Sequence, residues 1–70
     1  MNKVYEELID IFNKNPGREI YGKEIIDMFS NVFCDVIKNN TYALVKENII
    51  LDVTGKNNTI FNNRVFKQKE

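Results

Sequence analysis

Four polar residues between positions 38 and 46 fall on one face of a predicted helix, and their chemistry suits nucleic acid. An amide can hydrogen-bond to adenine, a lysine can bind guanine or phosphate, and a phenol can reach the backbone of a duplex. Asp35 projects from the same face and is unfavourable beside phosphates. The four candidate residues are Lys38, Asn39, Tyr42 and Lys46.

A second polar group lies further along the chain, in and after a segment rich in asparagine. Its side chains could contact phosphates next to the first group or enter the minor groove. Both groups are also compatible with ordinary solvated surfaces, because charged and amide side chains cover most exposed protein faces. The second group consists of Lys56, Asn57, Asn58 and Arg64.

The residue types needed for catalysis or metal binding are scarce in this sequence. There is no histidine and only one cysteine, so the commonest metal ligand and general base are absent. The carboxylates are dispersed, with no nucleophile motif or glycine-rich phosphate loop. We therefore predict a protein that is not an enzyme and holds no cofactor or metal. Cys34 is expected to be a small buried hydrophobe rather than a redox sensor.

The net charge argues against a nucleic-acid partner, but the charge distribution argues for one. Ten basic and ten acidic residues give a net charge of zero. Residues 1–30 hold four basic and six acidic residues, whereas residues 31–70 hold six basic and four acidic residues. From Lys56 onward the only acid is Glu70. The positive excess therefore falls on the half of the chain that contains both candidate groups.

Length and composition predict one small folded domain over residues 1–70. A hydrophobic content of 43% with five Phe and three Tyr is enough to form a core. A single cysteine excludes an internal disulfide, which favours a reduced, cytoplasmic protein. No apolar run reaches about 18 residues and the first residues lack the hydrophobic region of a signal peptide, so neither export nor a membrane partner is expected.

The hydrophobic period predicts three helices. The first covers residues 2–14 and ends at a Pro-Gly pair, the second runs from residue 22 to about residue 29, and the third covers about residues 32–47. Each has an apolar face that we expect to be buried. The expected inward residues are Val4, Leu8, Ile11 and Phe12 in the first helix, Ile25, Met28 and Phe29 in the second, and Phe33, Ile37, Thr41 and Leu44 in the third.

Three short extended segments accompany the helices. Residues 19–21 precede the second helix, and residues 49–53 and 60–66 form the two strands of an antiparallel hairpin around the polar segment 54–59. Asn48 lies between the third helix and the hairpin, where a left-handed conformation is needed to turn the chain. Residues 67–70 are expected to be a loose tail.

The order of these elements predicts a small α+β fold, a winged helix-turn-helix with three helices and a C-terminal β-hairpin wing. Residues 20–50, IYGKEIIDMFSNVFCDVIKNNTYALVKENII, resemble the central part of winged-helix transcriptional regulators. Ile37 and Leu44 match the buried positions of their recognition helix, and Asn48 stands where they commonly carry glycine. The resemblance implies that the third helix and the hairpin contact DNA.

Two narrower resemblances concern smaller families. Residues 42–46, YALVK, resemble the end of the recognition helix in Z-DNA-binding Zα domains, where a tyrosine stacks near the nucleic acid. Lys38 stands where that family carries Asn, and the wing lacks its paired prolines, so this resemblance implies DNA contact without Z-form specificity. Residues 8–13, 26–29 and 43–45 are similar to the dissimilatory sulfite reductase D protein, largely at core positions.

These patterns support one principal functional hypothesis and one alternative, with a purely structural subunit that has no affinity for duplex DNA as a remote third option. The principal hypothesis is a small cytoplasmic transcriptional regulator, of phage, plasmid or compact-genome type, that binds double-stranded DNA. A homodimer is expected because one unit of this size makes few base contacts, and Tyr5, Ile9 and Phe66 are the expected dimer contact. The alternative is a winged-helix module that binds a protein partner, which zero net charge and Asp35 favour.

Overall fold

The computed structural model describes residues 2–55 and 59–69, and these residues have the predicted α+β composition. They form three α-helices and a three-stranded antiparallel sheet, an arrangement compatible with a winged-helix fold. In chain order the elements are α1 (Lys3–Asn13), β1 (Ile20–Tyr21), α2 (Gly22–Asp27), α3 (Cys34–Lys46), β2 (Ile50–Asp52), the 3₁₀ helix η1 (Phe61–Asn63) and β3 (Val65–Gln68).

The sheet has the strand order β1-β3-β2, so the last strand in sequence lies in the middle. Ile20 lies opposite Phe66 in the pair formed by β1 and β3, and Ile50 lies opposite Gln68 in the pair formed by β2 and β3. The predicted extended segment before the second helix is therefore confirmed. By pairing with β3, it connects the start of α2 to the strand that follows η1.

One cluster of apolar side chains forms the core, and every helix and strand contributes to it. In α1, Leu8 and Phe12 lie one turn apart on the buried face, as the hydrophobic period predicts. Burying a side chain of this kind stabilises the fold by roughly 1.5–3 kcal/mol. The core consists of Leu8, Phe12, Ile20, Ile25, Phe29, Ile37, Leu44, Ile50, Phe61 and Phe66.

Two asparagines connect the start of α1 to the middle of α3. The side-chain oxygen of Asn2 accepts hydrogen bonds from the N–H groups of Val4 (3.1 Å) and Tyr5 (3.4 Å) and so caps α1. Its Nδ2 donates to Oδ1 of Asn40 at 2.7 Å, and Nδ2 of Asn40 donates to the Val36 carbonyl at 2.7 Å. The buried amide of Asn40 is therefore satisfied, and α1 is fixed against α3.

The start of α2 lies so close to η1 that only glycine fits. A Cβ atom on Gly22 would lie 1.9 Å from the carbonyl oxygen of Phe61, well inside van der Waals contact. The Gly22 N–H donates to the Arg64 carbonyl at 2.8 Å, which joins the two backbones directly. This contact fixes residues 61–64, which lead into β3, against the start of α2.

Asn48 ends α3 in the left-handed conformation that the sequence predicts, with a φ of 62°. The N–H of Ile49 donates to the Leu44 carbonyl at 2.9 Å, and the N–H of Asn48 donates to the Val45 carbonyl at 3.0 Å. This pair of hydrogen bonds is a Schellman motif, which satisfies the last carbonyls of the helix and turns the chain towards β2. The prediction for Asn48 is confirmed.

The predicted second strand of the hairpin is wrong in its first half. Within residues 60–66, Phe61–Asn63 form η1 and the strand begins only at Val65. Phe61 is buried, and its ring centroid lies 5.6 Å from that of Phe66. The two asparagines that follow Phe61 have a low strand preference, and burial of its aromatic ring favours the turn of η1 over an extended segment.

The predicted loose tail is also wrong over the residues that the structure describes. Lys67 and Gln68 belong to β3, and the Lys69 N–H donates to the Ile49 carbonyl at 3.3 Å. Nε2 of Gln68 donates to Oδ1 of Asn13 at 2.6 Å, which connects β3 to the end of α1. The end of the chain is therefore held to the sheet, because β3 is its central strand. Glu70 lies outside the described residues.

Three side chains expected in the core lie at the surface. Met28 is 45% exposed because, at 100° per residue, its side chain lies at the edge of the buried face that Ile25 and Phe29 form. Phe33 is 84% exposed because it precedes α3 in an extended conformation, where the helical angle of 100° per residue does not apply. Cys34 is exposed, one turn before Ile37, the first buried residue of α3.

The predicted dimer contact is wrong at one of its three residues. Phe66 is fully buried in the core, so its side chain cannot reach a second copy. Tyr5 and Ile9 are half-buried on α1. The Tyr5 hydroxyl donates to the carboxylate of Glu47, and this hydrogen bond, together with burial, raises the pKa of Tyr5.

Candidate nucleic-acid interface

The position of α3 is set by its buried face. Ile37, Thr41 and Leu44 are fully buried at the spacing of successive helical turns. The hydroxyl of Thr41 donates to the Ile37 carbonyl at 2.8 Å, so this polar group is buried without an unpaired donor. The opposite face of the same helix must then point away from the core.

The outward face contains all four residues that the sequence predicts there. Spacings of three and four residues bring them together on one side of a helix that is 13 residues long. Asp35 lies on the same side, in the first turn. The outward residues are Asp35, Asn39 and Lys46, which are exposed, Tyr42, which is 39% exposed, and Lys38, which is half-buried.

Tyr42 connects this face to the chain beyond the hairpin. Its ring lies edge-on to two core rings, with centroid distances of 5.7 Å to Phe61 and 6.2 Å to Phe66. Edge-to-face contacts of this kind are favourable beyond the area that they bury. Tyr42 is therefore held in one position while part of its side chain remains at the surface.

Arg64, the predicted hairpin residue that the structure describes, is paired with an acid. Its Nε and Nη2 atoms lie 3.0 Å and 2.5 Å from Oδ2 of Asp52. Oδ1 of the same carboxylate accepts from the N–H of Thr54 at 3.0 Å and from its hydroxyl. The ion pair joins β2 to the segment between η1 and β3, and Asp52 balances much of the positive charge that Arg64 brings to this surface.

The pKa values of the pair follow from these contacts. Burial raises the pKa of Asp52, but the hydrogen bonds from Thr54 and Arg64 outweigh it and lower the pKa below its ordinary value. The pKa of Arg64 is raised, mainly by its hydrogen bond to Asp52 and to a smaller extent by Tyr42. Tyr42 packs against Phe61 and Phe66, which lie on either side of Arg64 in sequence, so the helix face and this side of the hairpin lie close together.

The remaining hairpin residues cannot be placed on this surface. Lys56, Asn57 and Asn58 lie outside the described residues, so their contact with DNA stays a prediction. Among the residues that are described, Lys38 and Lys46 form no ion pair, whereas Arg64 is paired with Asp52. The described surface is therefore only weakly positive, with two lysines available to attract phosphate.

Sequence reasoning missed the exposed apolar side chains at the start of α3. Phe33 is 84% exposed, and Val36, one turn later, is 39% exposed. Phe33 occupies the N-cap position, where Ser, Thr, Asp or Asn is usual, and within the described residues it provides no side-chain cap. Because Asn31, a favoured N-cap residue, directly precedes the predicted helix start at residue 32, the sequence carries no clear signal of the uncapped start at Phe33.

Comparison with known proteins does not identify a family. Neither the protein-family models, nor the curated proteins, nor the solved structures give a significant match to this chain. Among residues 2–55 and 59–69, no helix is long and apolar enough to cross a membrane. The same residues contain no group of three His, Cys, Asp or Glu side chains that could hold a metal ion.

Proposed function

We propose that the protein is a small winged-helix protein that binds double-stranded DNA as a homodimer and regulates transcription, without catalysing a reaction. In this proposal α3 enters the major groove with Lys38, Asn39 and Tyr42 towards the bases and backbone. Lys46 binds a phosphate near the end of the helix. The hairpin between β2 and β3 is the wing, with residues 56–58 and Arg64 on the flanking backbone.

The open polar face of α3 is the observation that carries this proposal. Asn39 and Lys46 are exposed, and Tyr42 is fixed by two aromatic rings while remaining partly at the surface. A side chain held in one rotamer loses less entropy on binding than a mobile one. The face is therefore already organised for contact with a rigid partner such as a duplex.

The small number of unpaired cations predicts a moderate dependence on salt. If Lys38 and Lys46 each neutralise one phosphate, affinity should fall about 10-fold per protomer between roughly 50 and 200 mM salt. A dimer should lose about 100-fold over the same range, because the two contributions multiply. A steeper decrease would indicate further phosphate contacts, for example from residues 56–58.

The direct test is fluorescence anisotropy with labelled genomic duplexes over this salt range, together with size-exclusion chromatography for the oligomeric state. The double substitution Lys38→Ala, Lys46→Ala should weaken binding and lower the salt slope by about 2 per protomer. The matched control is Lys3→Ala, Lys14→Ala, which removes the same charge from exposed positions at the two ends of α1. Equal effects of the two double variants would reject the proposed face.

Tyr42 needs a milder substitution because it also packs against the core. Tyr42→Phe keeps the ring packed against Phe61 and Phe66 and removes only the hydroxyl. We expect its free energy of unfolding to change little and its affinity for DNA to fall a few-fold, since a hydrogen bond to the duplex contributes about 1 kcal/mol. Unchanged affinity would place the Tyr42 hydroxyl outside the interface.

A protein-binding module is the second candidate function, and the net charge of zero favours it. The exposed apolar side chains of Phe33, Met28 and Ile60 also favour a protein-binding function. Salt distinguishes the two functions, because an apolar protein contact should change little between roughly 50 and 200 mM salt. Absence of duplex binding at low salt would favour this second function.

A further inference from the structure

The first turn of α3 differs in chemistry from the rest of its exposed face. Phe33 and Val36 expose apolar surface there, and Asp35 lies between them in sequence. The N–H of Val36 donates to the Phe33 carbonyl at 3.0 Å, so the two residues belong to one hydrogen-bonded turn. The lysines Lys38 and Lys46 follow further along the helix.

This apolar turn is too small to form a stable dimer interface by itself. A phenylalanine side chain offers on the order of 150 Å² when it is mostly exposed. A specific protein interface buries roughly 800 Å² per partner. Phe33 and Val36 supply only a fraction of that area. The exposed area of these two side chains is a better match for a single small apolar group, such as one methyl group on an otherwise polar surface.

We propose that Phe33 and Val36 contact the C5 position of pyrimidines in the major groove, so that the protein prefers duplexes whose pyrimidines carry a C5-methyl group, as thymine does. This inference rests on the proposed DNA-binding function. The thymine methyl is the apolar group that the major groove presents, and apolar side chains recognise it by direct contact. In helix-turn-helix proteins the first residues of the second helix are those that reach base edges.

Asp35 supports this placement of the first turn. A carboxylate beside phosphates is repelled, but on the groove floor it can accept a hydrogen bond from the amino group of cytosine. The acid and the two apolar side chains therefore suit base edges, whereas Lys38 and Lys46 suit the backbone. The helix would then lie with its first turn deepest in the groove.

The test compares duplexes that differ only in the C5-methyl group. One probe is a mixed-sequence duplex and the same duplex with every thymine replaced by uracil. A second probe is a cytosine-containing duplex and its 5-methylcytosine form. We expect uracil to weaken binding and 5-methylcytosine to strengthen it, by about 4-fold for each methyl group contacted, the effect of withdrawing one such group from water.

The variants Phe33→Ala and Val36→Ala should reduce both methyl effects while leaving the salt slope unchanged. Met28→Ala is the matched control, because Met28 is an apolar residue, 45% exposed, that belongs neither to α3 nor to the hairpin. Uracil can also change the shape of the duplex. A difference in affinity between methylated and unmethylated duplexes is therefore evidence for contact with Phe33 only if it disappears in Phe33→Ala. Circular dichroism should show the same fold for all three variants.

The possible outcomes separate this inference from the function on which it rests. Salt-dependent duplex binding without any methyl effect would overturn the role of Phe33 and leave the DNA-binding proposal standing. Absence of binding to every duplex would overturn both. A change of oligomeric state in Phe33→Ala, with binding to methylated and unmethylated duplexes equal, would assign the apolar turn to a self-contact and also overturn the inference.

Discussion

The C-terminal end of α3 is closed by the hydrogen bonds of Asn48 and Ile49, whereas its N-terminal end begins at Phe33 without a side-chain cap among the described residues. At the closed end, Leu44 is fully buried and Glu47 accepts a hydrogen bond from Tyr5 of α1. At the open end, Phe33 exposes most of its ring to solvent. One helix therefore combines an end that is closed by hydrogen bonds with an end that has no side-chain cap and exposes an aromatic ring.

The difference separates the end of α3 that contributes to stability from the end for which we propose a contact with DNA. A helix start that lacks a cap loses about 1 kcal/mol relative to one that has it, and exposed aromatic surface adds an aggregation hazard. Natural sequences break such local rules mainly at functional sites. The start of α1, where Asn2 provides a complete cap, shows that this chain contains the usual solution elsewhere.

The largest effect is expected where the closed end of α3 enters the core. Leu44→Ala should lower the free energy of unfolding by about 2–5 kcal/mol, because the side chain is fully buried and its removal leaves a cavity. Val36→Ala at the open end should lower it by less than about 1 kcal/mol. Urea unfolding followed by circular dichroism measures both. Similar values for the two variants would contradict the difference between the ends.

A smaller effect is expected at the turn that closes α3. Asn48 has a φ of 62°, where a residue with an ordinary Cβ is strained. Asn48→Ala should therefore lower the free energy of unfolding by about 1 kcal/mol, and Asn48→Gly should leave it equal or slightly higher. Thermal unfolding of the pair tests the prediction. If alanine and glycine behave alike, the left-handed turn does not limit stability.

Adding a cap to the open end should raise stability by a similar or smaller amount. Phe33→Ser supplies a side-chain oxygen for the first N–H groups of α3, and little burial is lost because the ring is already 84% exposed. We expect the free energy of unfolding to rise by about 0.5–1 kcal/mol. The same variant should lose its response to the C5-methyl group. A variant that is less stable than the parent would mean that Phe33 supports the fold.

The smallest effect concerns the ion pair beside α3 and its pH dependence. Because hydrogen bonding lowers the pKa of Asp52 in the folded state, its contribution to stability is present above the unfolded pKa of about 3.9 and is lost as pH falls through the folded value. Asp52→Asn should flatten this part of the stability curve. Urea midpoints between about pH 6 and 2 measure the slope.

The control for the ion pair is Asp27→Asn on α2. Its carboxylate is 62% exposed and lies 2.9 Å from Nζ of Lys23, in a surface pair of the kind that contributes little. This variant should keep the acid slope of the parent protein. If both variants flatten the curve equally, the acid sensitivity does not come specifically from the pair of Asp52 and Arg64.

Helical periodicity located the main parts of the fold well. The spacing of Leu8 and Phe12 predicts α1, and that of Ile37, Thr41 and Leu44 predicts α3. Side chains at this spacing can be buried on one face only if the segment is helical. The predicted polar face of α3 follows from the same period, since fixing the inward residues also fixes the outward ones.

The errors occurred where a local pattern competed with a tertiary contact. Phe61 reads as a strand residue, but its ring fills a position beside Gly22 and Phe66, and this burial bends the chain into η1. Lys67 and Gln68 read as a polar tail, yet they pair with β2. Neither contact produces a periodic hydrophobic pattern in the sequence, because the partner residues lie far apart along the chain.

By itself the sequence determined the helices, the turn at Asn48 and the set of polar residues that share one side of α3, because these features depend on neighbours within one or two turns. Only the tertiary structure decided that Phe33 is exposed, that Tyr42 is held by two rings, and that Arg64 is paired with Asp52. These outcomes depend on which distant surfaces meet in the folded chain, and short-range spacing carries no information about that.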